Sequence, residues 1–216
     1  MSNSVSLFLD FSLEDGSTTV AARALSAAIN AAPISSVLIR PAPEVNVEVS
    51  TATEELIALA QRHGIAALLP SNGDHQSLAG ADGFHMPWSP EIVRTFKTLR
   101  KELPTAIFGA DAGRSRHDAM ELGEAGADYI AFGIPPHVED RAKAAHRQRD
   151  LIGWWSELFE IPCVAFDVPD PEAAHELAAA GADFVVVHVK STASEHDVAS
   201  LVRAFSDALR VIEPAK

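Results

Sequence analysis

Apolar residues in this chain fall into short runs that alternate, from end to end, with longer stretches carrying apolar positions at helical spacing. Val5 to Phe11 is predicted as a first strand, with Asp10 near its C-terminal end. Thr18 to Ala32 is alanine-rich and predicted helical, stopped by Pro33. Ser36 to Ile39 follows as a second strand, ended by Arg40-Pro-Ala-Pro43, and Pro41 to Thr53 reads as the loosest stretch, a candidate flap or stray edge segment. Thr53 opens a helix with Glu54 and Glu55 in its first turn, where carboxylates favour the dipole, and Gly64 stops it. Ile65 to Leu69 is the third strand, Asp74 to Ala79 a brief helix, and Gly83 to Met86 the fourth strand. The next helix carries the clearest signals: Ser89 as cap, Pro90 at the first helical position, Glu91 behind it, and an apolar face of Ile92, Val93, Phe96, Leu99 and Leu103.

Thr105 to Ala110 is the fifth strand, Ser115 to Ala125 a helix and Tyr129 to Phe132 the sixth strand, ended by Gly133, Pro135 and Pro136. Glu139 to Phe159 is a long helix and Cys163 to Phe166 the seventh strand. Asp170-Pro171-Glu172 starts a helix by the same cap-then-proline logic. After the eighth strand, Phe184 to Val189, Ser194 and Asp197 have capping-box spacing and open the last helix, whose apolar positions run from Val198 to Ile212.

One device recurs three times: Gly80-Ala-Asp82, Gly126-Ala-Asp128 and Gly181-Ala-Asp183 each end a helix and lead into a buried strand. Such residues report fold rather than chemistry. Strict strand–helix alternation implies a parallel sheet wrapped in helices. Eight such units in 216 residues predict an α/β chain forming one closed (β/α)8 barrel domain over residues 1–216. A glycine-rich dinucleotide fingerprint after the first strand is missing, which weakens the open-sheet alternative.

Composition narrows function mainly by exclusion. The formal net charge of -13 argues against nucleic acid and against an anionic membrane surface as partners. The single cysteine, Cys163, has no internal disulfide partner and reads as a buried, inert thiol. With no basic segment leading a long apolar core and no bilayer-length apolar run, the expected location is the cytoplasm.

Barrel chemistry sits where the strands end. The residues brought there are Asp10, Arg40, Ser71, Asn72, His85, Asp111, His137, Asp167, His188 and Lys190. Each also has a plainer role: His85 and His188 as hydrogen-bonded core histidines, the aspartates as turn or cap residues, Lys190 as a solvated charge. Asp10, Asp111 and Asp167 together could hold a divalent cation, although no ligand spacing on one element supports it.

Three segments carry a family resemblance. Leu78-Ala-Gly-Ala-Asp-Gly-Phe-His-Met86, Gly126 to Gly133, and Pro162 to Val187 resemble stretches of the thiamine phosphate synthase/TenI barrels. The resemblance implies a coupling reaction in which an aminopyrimidine diphosphate ionises, Mg²⁺ stabilises the departing pyrophosphate, and a thiazole phosphate nitrogen attacks the cation. It also implies Mg²⁺ as cofactor, but its ligand positions are not kept. The two metal aspartates fall at Ser71 and Pro90, and the Gly-Gly phosphate cradle becomes Asp167-Val168. The fifth-strand serine becomes Asp111, only Arg40 survives of the second-strand Arg-x-Lys, and Arg141 or Lys143 stands near the place of the family's later lysine. Where TenI-type members place a histidine after the sixth strand's glycine, this chain has Ile134, with His137 nearest.

The expectation is therefore a barrel of thiamine metabolism that is degenerate for the coupling. The alternatives are a barrel that binds a metabolite or a protein, and a proton-transfer relative. Catalytic candidates are His137, Asp111 and Asp167. Ligand-binding candidates are Arg40, Ser71, Asn72, His85, Gly133, His188 and Lys190; no residue is assigned to metal. The expected partner is a small molecule, a thiazole phosphate or an aminopyrimidine, and a homo-oligomer is compatible with all of this.

Overall fold

The alternation of side chains along each strand sets the architecture, because neighbouring residues must face opposite sides of a sheet. A computed structural model describes residues 5–14, 17–41, 51–71, 80–134 and 137–210. Its elements run β1 (Ser6–Ser12), α1 (Thr18–Ala31), β2 (Ile34–Arg40), α2 (Thr51–Arg62), β3 (Ala66–Pro70), β4 (Gly83–Met86), α3 (Ile92–Glu102), β5 (Ile107–Asp111), α4 (Arg116–Glu124), β6 (Tyr129–Phe132), α5 (Arg141–Leu158), β7 (Cys163–Ala165), α6 (Pro171–Ala179), β8 (Phe184–Lys190) and α7 (Glu195–Arg210). The strands pair in sequence order, all parallel, and β8 closes on β1 with Asp10 opposite His188. The expected closed (β/α)8 barrel is what forms, with seven helices among the described residues.

Two apolar layers follow. One side of each strand packs outward on the helices; Phe96, Leu25 and Trp155 are fully buried there. The other side fills the barrel interior with Phe8, Leu38, Leu68, Tyr129, Val164, Phe166 and Val186. The filled interior confines chemistry to the strand ends. Continuing the inward positions by period two from Phe8, Leu38 and Val186 brings Asp10, Arg40 and His188 to the mouth.

The repeated Gly-Ala-Asp has a specific job. Gly80, Gly126 and Gly181 take positive φ values of 85°, 91° and 112°, which a β-carbon would penalise. Each following aspartate then reaches the preceding strand: Asp82 accepts from Ala67 N (2.8 Å), Asp128 from Phe108 N (2.7 Å) and Asp183 from Cys163 N (2.8 Å). The motif thus satisfies the first free backbone donor of one strand from the turn that starts the next.

Several boundaries differ from expectation. Ser89 does not cap by its side chain: α3 begins at Ile92 after Glu91, and Ser89 contributes only its carbonyl, to Ile92 N. The long helix opens at Arg141, because the Asp140 side chain caps Lys143 N (3.0 Å). Asp170 and Ser194 cap as expected. The predicted helix Asp74 to Ala79 lies outside the described residues, as do residues 42–50 of the loose stretch, whose far end is already helical from Thr51. Among the described residues no helix is long and apolar enough to cross a membrane.

Candidate functional site

Two polar walls face each other across the strand ends. The first comes from β1, β2 and β8. Asp10, only 8% exposed, accepts from Arg40 Nε through Oδ1 (2.5 Å) and lies 3.2 Å from His188 Nδ1 through Oδ2. Burial alone would raise the Asp10 pKa. The hydrogen bond from His188 and the charge and hydrogen bond of Arg40 outweigh it and hold the carboxyl below its ordinary value. Arg40 is thus partly committed to a carboxylate in its own wall. Lys190 is similarly engaged, with Glu14 at 2.8 Å, and Thr192 donates to the same carboxylate.

The second wall comes from β5, β6 and β7 and is acidic. Asp111 Oδ1 accepts from Gly113 N (2.7 Å) and Gly133 N (3.3 Å), while Asp167 Oδ2 accepts from Ile134 N (2.7 Å). A β-carbon on Gly133 would stand 2.8 Å from both Asp111 Oδ2 and Asp167 Oδ2, so the two oxygens lie at most twice that distance apart. Burial pushes Asp111 up to about 7, with the nearby Asp167 charge adding to it, against the opposing N–H groups of Gly113 and Gly133. Asp167 has φ of 54°, the one positive value among the described non-glycine residues. Aspartate tolerates that region better than most side chains, yet the backbone there keeps a conformation suited to glycine.

The ends of this wall are fixed from outside. Gln148 on α5, 4% exposed, donates from Nε2 to the carbonyls of Phe132 (2.7 Å) and Phe166 (2.6 Å). It clamps β6 to β7 just below Gly133 and Asp167. The sequence gives little sign of it, since a lone glutamine in a long polar helix looks solvated. Trp88, 37% exposed, packs over Gly113 and lies 6.1 Å from the His137 ring. It stands two residues before Pro90, where the resemblance places the second metal aspartate.

The floor is aromatic. His85 is 2% exposed, bonded from Nδ1 to the Tyr129 hydroxyl (3.0 Å) and stacked on Phe166 with ring centroids 4.5 Å apart. Burial pushes its pKa down to about 3, so the imidazole is neutral at physiological pH. That is the core-histidine arrangement, placed beneath the walls. Ser71 is buried, with its N–H on the His85 carbonyl (3.0 Å). His137 is exposed beside Trp88. Asn72 lies outside the described residues. Cys163 is buried, and burial raises its thiol to about 12, in line with an inert role.

The described residues do not fit a Mg²⁺ site of the family type. Ser71 and Pro90 supply no carboxylate, and among the described residues no three His, Cys, Asp or Glu converge on a point that could hold a metal ion.

Comparison with known proteins points one way. The family model described as thiamine monophosphate synthase matches residues 13–190. A thiamine-phosphate synthase of Hyphomonas neptunium is 32% identical over 195 residues, covering 88% of this chain and 87% of the relative. One from Erythrobacter litoralis is 35% identical over 165 residues, 74% of each chain. Among solved structures, a thiamine phosphate pyrophosphorylase of Pyrococcus furiosus superposes with a TM-score of 0.68 at 19% identity, over 96% of both chains. A tryptophan synthase of Mycobacterium tuberculosis superposes as well, at 0.69 and 15% identity over 97% of this chain and 94% of that one, so superposition reports the barrel alone.

Proposed function

Because the chain belongs to the thiamine monophosphate synthase family, we propose that its mouth binds one small heteroaromatic ligand of the aminopyrimidine or thiazole kind without coupling two such rings through Mg²⁺. The observation that carries this is the convergence of Asp111 and Asp167 over Gly133, beside the exposed ring of Trp88. In the family resemblance this wall holds a serine and a glycine pair whose amides would cradle phosphate. Here Asp167 replaces the first cradle glycine and places its carboxylate beside that of Asp111, the two accepting from Ile134 N and Gly133 N, so a second anion would meet negative charge. A protonated or cationic ring finds both a countercharge and an aromatic face. Asp111, near neutrality in its basicity, is suited to exchange a proton with such a ring. On the opposite wall Arg40 keeps room for at most one anionic group, since Asp10 takes its Nε.

The test is a coupling assay with an aminopyrimidine diphosphate, a thiazole phosphate and Mg²⁺. The expected result is little or no product; turnover on the order of 1 s⁻¹ or above contradicts the proposal. A second reading, retained coupling, draws on the relatives named as thiamine-phosphate synthases. It would require Asp111, Asp167 and Asp74 to replace the missing metal ligands, and alanine at each would then abolish turnover.

A further inference from the structure

The β1/β8 side of the mouth carries a pairing that binding alone does not explain. Asp10 and His188 are register partners on neighbouring strands, both on the inward side, and Asp10 Oδ2 lies 3.2 Å from His188 Nδ1. Asp10 is buried, while the His188 side chain is 49% exposed. A carboxylate buried behind an exposed imidazole fixes that ring from the rear. Because Asp10 is held ionised, it can only accept, so in the neutral imidazole Nδ1 carries the proton and Nε2 is left as the acceptor. Nε2 makes no hydrogen bond to the described residues. Arg40, on Asp10 Oδ1, keeps the carboxylate from rotating away. The other charged groups facing His188 are Glu14 at the end of β1 and Lys190, which pair with each other at 2.8 Å.

We propose that His188 is the proton-accepting group of the mouth, with Asp10 as its positioning residue, acting on a C–H or N–H proton of a bound heteroaromatic ring. This rests on the heteroaromatic-ligand reading above, and it adds a base on the wall opposite Asp111. The geometry is that of a carboxylate–imidazole pair whose free nitrogen points to substrate. It was not visible as a motif, because the two residues are 178 positions apart and meet only where β8 closes the barrel.

The imidazole can be interrogated without any natural ligand. Long-range proton–nitrogen NMR of the wild-type chain at pH 8.5 should show His188 as the Nδ1–H tautomer, and Asp10→Asn should shift it toward Nε2–H. A wild-type ring that is mainly Nε2–H overturns the proposal, whether or not the variant folds. Base function is read with 5-nitrobenzisoxazole, a neutral heteroaromatic. The C3 proton passes to Nε2, the C–H electron pair becomes the nitrile bond, the N–O bond breaks and a coloured phenolate leaves. His188→Gln should lower the protein-catalysed rate at least tenfold, and Asp10→Asn should lower kcat more than it raises KM. No rate above buffer in the wild type, or an equal rate in His188→Gln, overturns the proposal. The tautomer does not depend on ligand binding, so failure of the base and failure of the ligand reading are separable.

Discussion

Replacing Asp111 with asparagine isolates the charge of the Gly133 wall. Asparagine keeps an oxygen that can accept from Gly113 N and Gly133 N, so the backbone bonds survive while the negative charge does not. The folded state raises Asp111 from 3.8 to about 7 and therefore holds the proton more tightly than the unfolded chain does. Stability from this group is fully present below the unfolded value and is lost as pH rises toward 7. At ~1.4 kcal/mol per pH unit, the ionised carboxylate costs up to ~4 kcal/mol above neutrality. Urea unfolding of both proteins from pH 5 to pH 8 should show the asparagine variant gaining ~2–3 kcal/mol relative to wild type across that range. A difference that stays flat with pH, or that shrinks as pH rises, refutes the raised carboxyl of this wall.

Three further outcomes follow from packing and burial. Phe96→Ala removes a fully buried ring set edge-on to Phe108 at 5.8 Å and should cost ~3–5 kcal/mol by denaturant titration; a loss under ~1 kcal/mol contradicts the packing. Asp128→Ala removes the acceptor for Phe108 N and a partner of Arg100, and should destabilise by ~1–3 kcal/mol, whereas Glu157→Ala on the exposed end of α5 should change stability by under ~0.5 kcal/mol. Cys163, buried and pushed up to about 12, should resist a disulfide reagent at pH 8 until the chain is unfolded; rapid labelling of the native protein refutes its burial.

The barrel was legible because its signals are local. Gly126 and Gly181 stop helices by backbone conformation, and the apolar run Tyr129 to Phe132 is buried on both faces, so hydrophobic period and glycine placement alone locate them. The start of α3 was misplaced by two residues because Ser89-Pro90 has the composition of a cap, while Pro90 and Glu91 form a turn before the helix begins at Ile92. The site was legible as a set of strand-end residues, but not as an arrangement. Asp10 and Arg40 each looked like a single charge; only the β1–β2 pairing shows that the arginine is held by its neighbour. Asp111 and Asp167 meet through Gly133, a residue with no side chain to announce the contact. His85 sits at a strand position that leads inward, so burial and the Tyr129 hydroxyl decide its role, and both are tertiary facts.

The central claim concerns the charge that the mouth accepts, and calorimetric titration of the wild-type chain tests it most directly. Three ligands suffice: pyrophosphate with Mg²⁺, a thiazole phosphate and an unphosphorylated aminopyrimidine. With Asp111 and Asp167 facing the old cradle and Arg40 held by Asp10, pyrophosphate should bind most weakly of the three. Arg40→Ala should weaken the thiazole phosphate by ~1.5–3 kcal/mol if a charge-assisted bond is lost, and leave the unphosphorylated aminopyrimidine unchanged. Pyrophosphate binding more tightly than both rings would contradict the account.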